Sequence, residues 1–157
     1  MNSESSVGGA GRRVAIVVAR FNERVTSMML AGCRQTLLDA GLEAQDIEVR
    51  FAPGAWELPL ACQLLAASER FHAVIAIGAV IRGETAHFDF ISAECAAGLQ
   101  RVALDTGVPV AFGVLTAETG EQALERADPA RKNKGREAAL AALDMIALAS
   151  EIAGDNG

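Results

Sequence analysis

Four short strand-like segments punctuate the chain, the first a continuous β-branched run: "RVAIVVAR" (13–20), "DIEVRFA" (46–52), "HAVIAIGAVI" (72–81) and "PVAFGVLT" (109–116). A segment with helical spacing follows each of them. A continuous apolar run has no polar face, so a strand made from it must be covered on both sides. Strands alternating with helices read as βαβ units, which build a parallel sheet through right-handed crossovers. The pattern predicts an α/β fold, a flavodoxin-like three-layer α/β/α sandwich with a four-stranded parallel sheet.

The helical segments carry their own punctuation. "ERVTSMMLAGCRQTLLDAG" (23–41) ends on Gly41 as the C′ residue, and "WELPLACQLLAAS" (56–68) holds Pro59, tolerable only in a first turn. A helix over 92–107 stops at Gly107, "TGEQ" (119–122) offers a capping box to a helix ending near Ala127, and an alanine- and leucine-rich helix runs from Gly135 to about Ile152. Residues 1–11 are Ser/Gly-rich and read as a mobile tail, leaving 12–157 as one domain. At 157 residues the chain can bury a sizeable core without metal or disulfide staples.

Charge and cysteine usage narrow the function. The net charge is −6 and the basic residues are scattered, so the chain carries no electrostatic footprint for nucleic acid. The longest apolar stretch, Ala73–Ile81, is too short to span a bilayer, and "MNSESSVGGAGRR" lacks the apolar segment of a signal peptide, which predicts a cytoplasmic protein. Cys33, Cys62 and Cys95 are widely spaced among alanines and leucines, without a CxxC or clustered histidines. They read as buried thiols rather than metal ligands or nucleophiles.

In open parallel sheets, ligands sit beyond the carboxyl ends of the strands. The four segments expected there are "RFNER" (20–24), "PGAWELP" (53–59), "RGETAHFD" (82–89) and "TAETGEQALER" (116–126). Phe21 and Trp56 offer flat faces for a heteroaromatic ring, or simple packing. Glu57 could accept hydrogen bonds from ligand hydroxyls, or serve as an acid at a helix start. Gly83, Glu84 and Thr85 lie where a strand passes into a helix, where backbone N–H groups can cradle a phosphate, although a glycine there is also an ordinary turn residue. His87 suits proton transfer near neutral pH; the competing reading is a structural histidine capping the next helix. His72, before a strand at the opposite edge of the sheet, reads as structural. Arg126 has the planar fork that suits phosphate if an anion sits nearby, and is otherwise a solvated cation, as is Lys134.

Taken together, "ARFN", "PGAWELP", "GAVIRGETAHFDF", "FGVLT" and "EQALERA" followed by "NKG" resemble the lumazine synthase family in order and spacing, from about Val14 to Ala149. The resemblance implies condensation of 5-amino-6-(D-ribitylamino)uracil with 3,4-dihydroxy-2-butanone 4-phosphate, with no metal or cofactor. It implies that Phe21 stacks on the pyrimidine with Asn22 assisting. Ala55, Trp56 and Glu57 would hold ring and ribityl chain, and Val80 and Ile81 would line the ring pocket. Gly83, Glu84, Thr85 and Arg126 would bind phosphate, and His87 would move protons. Phe112 and Lys134 would come from a neighbouring subunit, in a homo-oligomer that is a pentamer or a sixty-subunit icosahedral shell. In the loop "ADPARKNKG" (127–135), Asp128, Pro129 and Lys132 stand where relatives often carry smaller or more flexible residues, which leaves both assemblies open. A flavin-binding or shell-forming paralogue with little turnover is the alternative. A flavodoxin-like electron carrier fits less well, because "RFNERVTS" lacks the glycine- and hydroxyl-rich character of a flavin phosphate loop.

Overall fold

The computed structural model describes residues 8–83 and 87–154. Four strands, β1 (Val14–Ala19), β2 (Ile47–Ala52), β3 (Ala73–Ile81) and β4 (Val110–Ala117), form one sheet in the order β2-β1-β3-β4. Every pairing is parallel: Val14 faces Ile47 and Ala73, and Val74 faces Val110. All residues of β1 and β3 are buried, as their unbroken apolar runs require of central strands.

Five helices cover the sheet: α1 (Glu23–Asp39), α2 (Leu58–Ala66), α3 (Phe88–Thr106), α4 (Gly120–Ala127) and α5 (Lys134–Ile152). Ile16, Ile75 and Ile77 point to a core shared with Met29 and Leu37 of α1, Ala123 of α4 and Leu143 of α5. Val17, Val74 and Ala76 point the other way, to Leu58 and Cys62 of α2 and Leu99 of α3. The period-2 alternation of the strands thus sorts their side chains into two cores, and the three-layer sandwich follows.

Local signals explain most boundaries. Gly41 follows α1 at a φ of 109°, and Gly107 closes α3 in the left-handed region at 73°. Thr119 caps α4 by accepting the Gln122 N–H at 3.1 Å. The return bond expected of the capping box is displaced by one residue: Gln122 Oε1 accepts the N–H of Glu118 at 2.7 Å. Two boundaries differ from expectation. α2 starts at Leu58 rather than 56, because Ala55–Glu57 form a separate 3-10 turn and Pro59 sits in the first α-helical turn, where its missing N–H costs nothing. α3 starts at Phe88, four residues earlier than the polar "HFD" suggested, because Phe88 and Ile91 continue the face of Cys95, Leu99 and Val102 into the core.

Within the expected tail, the Gly9 N–H donates to the Ala40 carbonyl at 2.7 Å, so the segment next to β1 is docked; residues 1–7 lie outside the described residues. His72 Nδ1 accepts the Arg13 N–H at 3.0 Å and its own N–H donates to the Arg13 carbonyl at 2.8 Å, a structural role at the amino edge of the sheet. The three thiols are buried and free, and desolvation pushes Cys33 and Cys62 up to about 12 and Cys95 to about 11.

Candidate functional site

Strand order reverses between β1 and β3, and the crevice beyond their carboxyl ends is where such a sheet can admit a ligand. Asn22 sits there at a φ of 65° as the N-cap of α1, its carbonyl accepting the N–H groups of Val25 and Thr26. Its side-chain amide donates to the Ala79 carbonyl at 2.9 Å, fastening the first loop to the end of β3. That bond uses one of the two amide N–H donors of Asn22 and leaves its other N–H and its amide oxygen without a bond to Ala79.

The second loop is stitched to the first, with the Phe21 N–H donating to the Pro53 carbonyl at 3.0 Å. Phe21 leaves half its surface exposed. A Cβ built on Gly54 would lie 3.9 Å from Phe21 Cβ and 3.4 Å from Glu57 Oε1, so the root of the Phe21 side chain and the Glu57 carboxylate both border that glycine. Ala55 is buried beneath them, while Trp56 is exposed and stacks on Phe90 with centroids 5.8 Å apart and planes 15° from parallel. Val80 and Ile81 are only 3% and 4% exposed and belong to opposite cores. Their side chains are packed into those cores.

Gly83 has a φ of 87°, and a Cβ there would meet nothing within 4 Å. Glu84 and Thr85 lie outside the described residues. His87 is exposed and is the N-cap of α3 by backbone position, its carbonyl accepting the Ile91 N–H at 2.8 Å. Its side chain makes no hydrogen bond that caps the helix.

A second region lies along the outer edge of β4. A cleft of about 520 Å³ follows Phe112–Thr116 and is closed by Met29 of α1, Arg126 of α4, and Lys134 and Glu137 of α5. Arg126 Nη1 donates to the Thr116 carbonyl at 3.0 Å, and Lys134 Nζ lies 3.2 Å from Glu137 Oε1. Two cations face one carboxylate, so the cleft is locally positive in a chain of net charge −6. Lys134 is positioned by its neighbours. Asn133, at a φ of 47°, caps α5 by accepting the Arg136 N–H, and Gly135 brings α5 against the main chain of α1 at Met29. Phe112 is half exposed.

The sequence grouped Arg126 with Gly83, Glu84 and Thr85. The cleft places it beside Phe112 and Lys134, and no described residue of the first three loops lines that cleft. Four residues went unassigned in the sequence. Phe90 was hidden by the late start given to α3, Glu137 by its ordinary place in a charged helix, and Arg82 and Glu118 by pairing across loops 36 residues apart. No group of three or more His, Cys, Asp or Glu able to hold a metal ion occurs among the described residues.

Residues 11–150 match the family model described as 6,7-dimethyl-8-ribityllumazine synthase. The 6,7-dimethyl-8-ribityllumazine synthase of Syntrophus aciditrophicus (strain SB) is 48% identical over 150 residues, 96% of this chain and 97% of that protein.

Proposed function

This chain belongs to the 6,7-dimethyl-8-ribityllumazine synthase family, and from that premise we propose that its active site is assembled from two half-sites carried by neighbouring copies. The enzyme is a transferase of riboflavin biosynthesis. It condenses 5-amino-6-(D-ribitylamino)uracil with 3,4-dihydroxy-2-butanone 4-phosphate to 6,7-dimethyl-8-ribityllumazine, releasing phosphate and two waters.

In this reading one half-site is the crevice beyond β1–β3. Phe21 stacks on the pyrimidine, Trp56 and Ala55 flank it, Glu57 accepts from the ribityl hydroxyls, and the main chain of Val80 and Ile81 borders the ring. Gly83, Glu84 and Thr85 receive the phosphate, and His87 moves protons. The other half-site is the cleft of Phe112, Arg126 and Lys134, which brings positive charge to the same phosphate from the adjoining copy. The observation that carries this is the segregation of those three residues along the edge of β4, in a cleft that takes no lining from the first three loops. Exposed Leu60, Leu64, Met145, Leu148 and Ile152 leave apolar surface that a second copy would cover. A closed ring, at least a pentamer, satisfies a head-to-tail contact of this kind. The single domain of residues 12–157 resides in the cytoplasm, consistent with an acidic chain in which no described helix is long and apolar enough to cross a membrane.

The chemistry needs imine formation between amine and ketone, phosphate elimination, tautomerisation and ring closure. Holding the two substrates together supplies the larger part of the acceleration as effective molarity, and a general acid–base group contributes about 10²–10⁴-fold. Steady-state turnover of both substrates by wild type and His87→Ala tests the assignment. The expected result is a wild-type rate well above the uncatalysed reaction and a slower but measurable variant; an unaffected variant would remove His87 from the mechanism.

A further inference from the structure

We propose that Arg82 is a positioning residue for His87, fixing the start of α3 through a guanidinium network that spans from β3 to the first turn of that helix. The proposal rests on the reading of His87 as the proton-transfer group. The Arg82 N–H donates to the Ala117 carbonyl at 2.9 Å, which fixes the root of its side chain at the end of the sheet. Its Nε donates to both carboxylate oxygens of Glu118, at 3.0 and 3.1 Å. The other end of the fork, Nη2, reaches Asp89 Oδ1 at 3.4 Å. The guanidinium carbon also lies 4.4 Å from the centroid of the Phe88 ring. Glu118 is itself held, since Gln122 of α4 accepts its backbone N–H.

Phe88 and Asp89 are the first two residues of α3, and His87 immediately precedes them. His87 adopts φ −125° and ψ 36° at that helix start, so holding the start in place fixes the backbone from which the imidazole projects. Arg82 grips that start from two sides, by charge at Asp89 and by stacking at Phe88. One exposed ion pair would do little. Here a single planar group holds two carboxylates and an aromatic face together, a combination that suits arginine and that a lysine ammonium cannot reproduce.

A double-mutant cycle separates positioning from general stabilisation. Arg82→Met and Glu118→Gln are made in the wild-type and His87→Ala backgrounds, with thermal midpoint and assembly state recorded for each. In the wild-type background each is expected to lower kcat about tenfold with KM changed less than about twofold, and neither should slow the His87→Ala enzyme further. An equal loss in both backgrounds would overturn the proposal, since Arg82 would then act independently of His87. A raised KM for the phosphate-bearing substrate in Arg82→Met but not in Glu118→Gln would also overturn it, by making Arg82 a direct ligand. If His87→Ala alone turns over at the wild-type rate, the reading of His87 fails first and takes this inference with it; a slow His87→Ala with an undisturbed Glu118→Gln removes the inference alone.

Discussion

Gly135→Ala tests how tightly the Lys134 side of the cleft is built. A Cβ at position 135 would fall on the carbonyl oxygen of Met29, 2.9 Å from its carbon and 3.1 Å from the nitrogen of Cys33. These obstacles are main chain of α1, which cannot rotate aside, so α5 would have to retreat by roughly an ångström from a close-packed interface. Met29, Cys33, Ala139 and Leu143, all buried, fill that interface and would lose contact. Overpacking costs about 1–3 kcal/mol, and the upper end applies when backbone must move. For a domain of this size about 3 kcal/mol corresponds to a fall of roughly 6–12 °C in the unfolding midpoint. Circular dichroism at one fixed protein concentration measures it. Gly120→Ala is the control: a Cβ there meets nothing within 4 Å, so the same chemical change should be neutral or slightly stabilising. A Gly135→Ala protein unfolding within about 2 °C of wild type would show slack between α1 and α5, and the positioning of Lys134 by close helix approach would be refuted.

Arg126→Ala is expected to raise KM for the phosphate-bearing substrate about 10–100-fold, the loss of one charged hydrogen-bonding group, while KM for the pyrimidine changes little. Normal constants for both would dismiss Arg126 as a phosphate ligand. Thr119→Ala removes the Gln122 cap and should cost about 1 kcal/mol, lowering the midpoint by roughly 2–4 °C; no shift would mean that the α4 cap carries no stability. The buried thiols set an alkaline limit. Above pH about 9 the unfolded chain releases thiol protons that the fold still holds up to about 11 for Cys95 and about 12 for Cys33 and Cys62, so stability should fall as pH rises through that window. A denaturant midpoint that rises from pH 9 to 11 would contradict it.

The sandwich was legible because β1 and β3 are apolar on both faces and because glycines 41 and 107 close their helices in the left-handed region. The same parallel order puts the segments that follow β1, β2 and β3 on one rim of the sheet. What the sequence concealed depends on three-dimensional neighbours. Arg126 and Lys134 share a cleft with Phe112 only because Gly135 lets α5 approach α1, and no local pattern announces that contact. The bond from Asn22 to the Ala79 carbonyl joins residues 57 apart in the chain, and no local pattern shows it. Val80 and Ile81 sit at the right end of the right strand, yet alternation sends their side chains into opposite cores. Phe90 needed the correct start of α3, which only the packing of Phe88 and Ile91 fixes.

Subunit complementation decides whether the site is split between copies. His87→Ala impairs the crevice half and Arg126→Ala the cleft half. Both are purified, unfolded together in equal amounts and reassembled. If each site joins the crevice of one copy to the cleft of the next, random mixing leaves about a quarter of the sites with both halves intact, and activity should recover toward a quarter of wild type. Mixed assemblies no more active than the average of the two variants would contradict the account, because a site contained in one chain cannot be repaired by its neighbour.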